Sequence, residues 1–257
     1  ARANAVSSVE SVLSLARACR ENGQYVKTDV VSTVGVAGRR TGRIPETSLP
    51  DSPGFHNTYE AAKAEAESVL FSEMKKGSPV TIHRPSMVVG DSETGRVRSF
   101  QVFYHISAFF SGRRTLGVVP RAGGFRLDII PVDYVARAVW TASMDPQTAG
   151  RIFHLCSGPD KALPLSVLSE YIAKHFGTRP VRVPLFVFDR LLPRLAFLFP
   201  RNIRRLLQHL PYFLTYLKDP QLFENRESDA YFSAKGIRVP APEQYLDKVL
   251  RYYTQSQ

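Results

Sequence analysis

The sequence predicts an α/β fold built on a parallel sheet. Three observations carry the prediction. Helix and strand periodicities alternate along the first half of the chain, the strand-like runs are dense in β-branched residues, and the helix patterns end at glycine. At 257 residues, with 44% hydrophobic and 22% charged content, the chain can bury one large core or two small ones, which excludes disorder and coiled coil.

Taken in order, Val9, Val12, Leu13, Ala16 and Cys19 recur at three- and four-residue spacing, and Gly23 is set to end that helix. Tyr25–Val36 follows as a buried strand, with Val26, Val30, Val31, Thr33 and Val34, closing on Gly38. A polar loop with Gly42, Pro45, Pro50 and Pro53 leads to the run AAKAEAESVLFSEMKK, a strong helix from Thr58 to Lys76 stopped by Gly77. Pro79–Val89 reads as a second strand, Ser99–Gly112 as an aromatic helix, and Asp128–Val132 as a short strand. Asp133 is placed to cap a helix running to about Met144. Ile152–Cys156 reads as a strand and Leu165–Phe176 as an amphipathic helix, after which strands are hard to find.

Composition excludes several function classes. The longest stretch free of charged residues is the 14 residues Ser99–Gly112, too short to span a bilayer. Cys19 and Cys156 form no disulfide framework and no metal quartet, and the six histidines are scattered, so no metal site is expected. The opening ARANAVSSVE has no signal-peptide core and begins with Ala, so the chain reads as cropped or processed, and a cytoplasmic setting is expected. Lysine and arginine exceed aspartate and glutamate by 34 − 23 = +11. The arginines are interleaved with aliphatic residues and no recognition motif accompanies them, so nucleic acid is not the expected partner.

The chemistry sits in Tyr59 and Lys63, four apart on the long helix and projecting from one face. An ammonium beside a tyrosine favours the phenolate, which predicts a lowered Tyr59 pKa and a group able to pass a proton to a carbonyl oxygen. Alone, this pair is a weak motif; its flanks strengthen it. Before it stands STVGVAG, a strand ending in hydroxyls, and after it HRPSMVVGDSETG, a strand ending in Arg-Pro-Ser.

With FHNTYEAAKAEAE and DIIPVDYVARA, these segments resemble the extended short-chain dehydrogenase/reductases, and within them the thioester-reductase and fatty acyl-CoA reductase branch. The resemblance runs from about Asn4 to Ser157 and implies a Rossmann-type sheet. It implies that Thr33, Tyr59 and Lys63 form the catalytic triad, with Ser32 the neighbouring alternative and a substrate contact. Tyr59 would donate the proton and Lys63 would hold the nicotinamide ribose, with Pro85 and Ser86 against the nicotinamide. Asp91, Ser92 and Thr94 match the loop beside the substrate, with a plain polar turn as the competing reading. The implied activity is NAD(P)H-dependent reduction of an acyl-CoA or carrier-bound acyl thioester to an aldehyde, with the alcohol as the product of a second hydride transfer left open, and with NADPH favoured over NADH. The competing readings are another extended enzyme, a ketone or steroid dehydrogenase or a nucleotide-sugar epimerase, or a non-catalytic binding or membrane-associated module retaining the triad.

Such enzymes open with a glycine-rich turn under the cofactor pyrophosphate, and no G-x-x-G-x-x-G occurs in this sequence. The resemblance therefore implies roughly 100 further residues upstream, the nucleotide half of the fold. Residues 1–157 are expected to form a partial Rossmann-type catalytic domain, with 91–127 a substrate-side insertion, and 158–257 a mainly helical substrate or lid subdomain. Pro184–Leu217, rich in Leu and Phe and carrying Arg190, Arg194, Arg201, Arg204 and Arg205, reads as short helices packing on the core, as a lid over an acyl chain, or as a segment lying on anionic lipid. A homodimer is the family expectation.

Overall fold

The computed structural model describes residues 2–23, 26–49, 54–113, 115, 117–121, 124–187, 194 and 220–256. The first elements are α1 (Arg2–Glu21), β1 (Thr28–Val31), a 3-10 turn at Val34–Ala37, β2 (Gly42–Ile44), α2 (Thr58–Lys75), β3 (Val80–Pro85) and β4 (Met87–Val89). Then come α3 (Val102–Phe110), β5 (Val118–Pro120), β6 (Arg126–Leu127), β7 (Ile129–Pro131), α4 (Val132–Ser143) and β8 (Ile152–Leu155). The chain continues through β9 (Leu163–Pro164), α5 (Leu165–Phe176), β10 (Val181–Val183), β11 (Gln221–Phe223), α6 (Arg226–Ala234) and α7 (Pro242–Gln255).

Two compact units interleave along the sequence. The first takes Ala1–Ser86, Asp133–Pro159 and Gln221–Val239. Its sheet is parallel in the order β1-β3-β8, with Val31 opposite His83 and Pro85 opposite Leu155. On β3 the side chains alternate. Val80 and Ile82 join Leu13 of α1 and Leu70 of α2 in one core, while His83 stacks on Phe153 at 5.8 Å and Phe153 meets Phe232 of α6 at 5.0 Å. The expected parallel α/β sheet is thus present.

Several sequence expectations change in detail. The strand expected at Tyr25–Val36 stops at Val31, because the Thr33 hydroxyl accepts the Gly35 amide at 3.1 Å and caps the 3-10 turn. Here a local side-chain bond overrides β propensity. The strand expected at Pro79–Val89 splits at Ser86. Pro85 has no amide to donate, and beyond it the ladder changes partner, Ser86 N bonding Leu155 O and Met87 N bonding Asp128 O. Asp133 lies inside the first turn of α4 rather than capping it, where its charge suits the helix dipole and it pairs with Arg137 at 3.3 Å. The C-terminal third contains the strands β10 and β11 as well as helices. Of Pro184–Leu217, only 184–187 and 194 are described, so the lid and membrane readings lie largely outside the described residues.

One polar cluster is buried in the first unit. Arg84 on β3 is fully buried, and its fork donates to Glu67 of α2, Nε to Oε1 at 3.0 Å and Nη2 to Oε2 at 2.6 Å. Arg84 Nη1 reaches Thr47 O at 2.8 Å and His154 Nε2 at 3.3 Å. That contact leaves the His154 proton on Nδ1, which faces the Glu224 carbonyl at 2.8 Å. Glu46, its carboxyl pushed up by burial, accepts from His154 N and from Glu227 N and Ser228 at the start of α6. No helix among the described residues is long and apolar enough to cross a membrane.

The second unit takes Met87–Val132, Asp160–Pro220 and Pro240–Gln257. Its strands pair two by two: β4 with β7 and β5 with β10 in parallel, β6 with β9 antiparallel. The core gathers Phe103 and Tyr104 of α3, Leu168 and Ile172 of α5, and Leu246 and Tyr253 of α7. The turn at 90–95 is built on two close approaches. A Cβ on Gly90 would stand 2.2 Å from Gly95 O, and one on Gly95 (φ +71°) would stand 2.2 Å from Lys248 O of α7.

Two outcomes follow. Gly95→Ala is expected to destabilise the protein by more than about 1 kcal/mol, since it adds a backbone clash to left-handed strain. Gly117→Ala, with similar φ but nothing near its Cβ, is expected to cost less; equal denaturation midpoints would contradict this. The second concerns His154, whose pKa is pushed down to about 3 by burial and by the adjacent Arg84. The unfolded imidazole titrates near 6.5, so only the unfolded chain takes up this proton between those values. This stability is complete above about pH 6.5 and is lost as pH falls toward 3. His154→Gln, which can still accept from Arg84, is expected to flatten the melting-temperature profile over that range.

Candidate functional site

The candidate residues of the first unit gather around the N-terminal half of α2 and the end of β1. Asn57 caps α2, its side chain accepting from Glu60 N at 2.8 Å, and this fixes where Tyr59 and Lys63 leave the helix. The 3-10 turn packs on that first helical turn. A Cβ on Gly35 would come within 3.1 Å of Glu60 Cγ, so the glycine lets the turn lie close against the Glu60 side chain. The hydroxyls of Ser32 and Thr33 are thereby held just beyond β1, with Ser32 N anchored on His83 O at 2.7 Å.

Lys63 Nζ donates to Val31 O at 3.1 Å and stands 6.0 Å from the Tyr59 ring centroid. Tyr59 is 56% exposed, and its pKa is raised above the ordinary phenol value by desolvation. The expected lowering by Lys63 is overturned. The ammonium is bonded to a carbonyl instead of the phenol, and loss of solvent outweighs its field. A raised value keeps the phenol protonated at neutral pH, which is the form a proton donor needs.

A cleft of about 240 Å³ opens between α1, β1 and α2. Ser8 and Val9, Val31 and Ser32, and Lys63 and Glu67 line it. The Ser32 hydroxyl is buried and has no hydrogen-bond partner among the described residues, an arrangement suited to a polar ligand atom. Thr33, Tyr59, Pro85 and Ser86 are not in the lining. Pro85 ends β3, and Ser86 is buried directly after it.

Asp91, Ser92 and Thr94 belong to the second unit. The Asp91 carboxylate accepts from the Thr94 hydroxyl and amide, both at 2.8 Å, and from Glu93 N at 3.1 Å. Those bonds, Thr94 foremost, hold its pKa below the usual carboxylate range. Asp91 and Thr94 therefore form a self-bonded polar turn. No group of histidine, cysteine and carboxylate side chains among the described residues could hold a metal ion.

Sequence reasoning assigned no role to Glu67 and Arg84. The available signal was a lone arginine inside the apolar strand VTIHRP, together with a glutamate four residues after Lys63.

The model of the NAD-binding family described as male sterility protein matches residues 1–139. The nonribosomal peptide synthetase FrzA of Cladobotryum sp is 27% identical over 200 residues, 75% of this chain and 19% of that protein. One linear gramicidin synthase chain of Brevibacillus parabrevis is 26% identical over 155 residues, 60% of this chain and 3% of that protein. Among solved structures, the terminal R domain from the myxalamid PKS-NRPS pathway superposes with a TM-score of 0.71 at 25% identity, covering 89% of this chain and 57% of that one. A thiolation-reductase di-domain from an archaeal non-ribosomal peptide synthetase shares the fold, with a TM-score of 0.66 at 18% identity over 90% of this chain and 49% of that one. The chain thus spans less than a fifth of these curated relatives and about half of these solved chains. Family match, Rossmann-type sheet and motif order agree: the chain belongs to the NAD-binding male sterility protein family, within the extended short-chain dehydrogenase/reductases.

Proposed function

We propose that this chain carries the proton-donating half of an NAD(P)H-dependent reductase of acyl thioesters. One observation carries the reading. Tyr59, protonated and half exposed, rises from the same helix stripe as Lys63, whose ammonium is held at the end of β1 beside the buried, unpartnered Ser32 hydroxyl. The relatives' names support the substrate class, because one of them joins a thiolation domain to its reductase domain.

The residues fit the nicotinamide-ribose end of a dinucleotide. Lys63 and Ser32 offer an ammonium and a free hydroxyl on one cleft wall, the donors and acceptors a ribose diol requires. NAD(P)H held there would supply a hydride to the thioester carbonyl carbon. Tyr59 gives its proton to the oxygen that gains charge, and Thr33 can donate a second hydrogen bond, since its hydroxyl accepts the Gly35 amide and keeps its own proton. The carbonyl becomes a hemithioacetal, which collapses to an aldehyde and a free thiol. Lys63 orients the ribose from its place at the end of β1. Pro85 and Ser86 flank the nicotinamide in this reading. NADPH is the proposed cofactor, and a carrier-protein arm the proposed handle of the acyl group.

The test is NADPH oxidation by the full-length protein with an acyl-CoA and with the same acyl group on a carrier protein, trapping the aldehyde. Turnover with the thioester is expected. Tyr59→Phe is expected to fold normally and lose about 10²–10⁴ in kcat, the usual contribution of a general acid. A wild-type protein that binds NADPH and reduces neither thioester overturns the reading.

A further inference from the structure

The geometry points to Arg84 as a positioning residue that keeps Lys63 free by holding Glu67 away from it. The inference rests on the proposed role of Lys63.

Tyr59, Lys63 and Glu67 follow one another at intervals of four on α2. A lysine and a glutamate at that spacing are neighbours on a helix surface and can bond, although lysine before glutamate is the weaker order. Here they do not. Both Glu67 oxygens are taken by the Arg84 fork, at 2.6 and 3.0 Å, with side chains only 0% and 4% exposed. The Lys63 ammonium bonds Val31 O at 3.1 Å instead, on the cleft wall it shares with Ser32.

Arg84 is itself held by partners outside α2. Its remaining nitrogen meets Thr47 O at 2.8 Å and His154 Nε2 at 3.3 Å, and His154 is oriented by the Glu224 carbonyl. The fork is thus held facing Glu67 by partners outside α2. A planar bidentate donor claims both oxygens of one carboxylate, which an ammonium cannot do. Without it, the nearest cation on the helix for the Glu67 carboxylate is Lys63, and their pairing would pull the ammonium off Val31 and away from the cleft.

The test reads Lys63 directly, without substrate. Acetylation of Lys63 by limiting acetic anhydride is followed by mass spectrometry in the full-length protein and its variants. In Arg84→Gln, Lys63 is expected to label about tenfold more slowly than wild type, the size of a charge-assisted hydrogen bond. In Glu67→Gln no slowing is expected, and Glu67→Gln/Arg84→Gln is expected to return to the wild-type rate. A plain loss of packing would speed labelling in both single variants, so that result, or an unchanged rate in a folded Arg84→Gln, overturns the proposal. Should Arg84→Gln not fold, Arg84→Lys is used: its ammonium holds one Glu67 oxygen and leaves the other to Lys63, so a smaller slowing is expected and an unchanged rate overturns the proposal. Slowed labelling in a protein whose wild type reduces no thioester would overturn the function and leave the Arg84 assignment standing. In an active protein, kcat is expected to fall with Arg84→Gln and recover in the double variant, with melting temperature measured in parallel.

Discussion

A guanidinium with no solvent contact cannot be left without an acceptor, and the first unit is organised around that constraint. Arg84 lies on the middle strand of the sheet, fully buried, and its partners come from three other parts of the chain: Glu67 on α2, the Thr47 carbonyl after β2, and His154 on β8. Charges of this kind are tolerated inside a protein only when paired and hydrogen-bonded, so each partner is held in place by the need to satisfy the same group. The effect reaches further through His154. Its backbone amide and the start of α6 share the Glu46 carboxylate, which joins the loop after β2 to the far face of the sheet. A polar requirement therefore fixes the helix that carries Tyr59 and Lys63 against the strand that leads to Pro85 and Ser86.

The end of β1 shows how one short segment serves structure and chemistry together. Ser32 and Thr33 are neighbours with different duties. Thr33 uses its oxygen to start the 3-10 turn, while the Ser32 hydroxyl, on the cleft wall it shares with Lys63, is buried without a partner among the described residues. Gly35 allows the turn to press onto Glu60, so that the turn and the first turn of α2 are set by one contact. The same economy of space governs the second unit, where Gly90, Gly95 and the Lys248 carbonyl meet too closely for any side chain. There, Asp91 and Thr94 satisfy each other, and the loop is a turn by its own bonding.

Much was legible in the sequence because the signals are local. The alanine- and glutamate-rich run, ended by Gly77, marks α2 to within a residue, and apolar periodicity marks α5 from Leu165 to Phe176. Motif order around Tyr59 gave the family. What periodicity misjudged were places where a side chain or an imino acid interrupts a propensity. Thr33 ends a β-branched run by capping, Pro85 breaks a continuous apolar strand, and the C-terminal strands β10 and β11 are only three residues long.

By itself the sequence determined the element types, the spacing that sets Tyr59 and Lys63 on one side of a helix, and the family that this order defines. Those are properties of neighbours along the chain, governed by the 3.6-residue and 2-residue periods. The tertiary structure decided the environment of each group. Whether Tyr59 titrates up or down depends on solvent loss against a charge that is bonded elsewhere, and whether Glu67 meets Lys63 or Arg84 depends on a strand seventeen residues away. Desolvation and charge pairing act through space, among residues brought together only by folding, and no spacing along the chain encodes them.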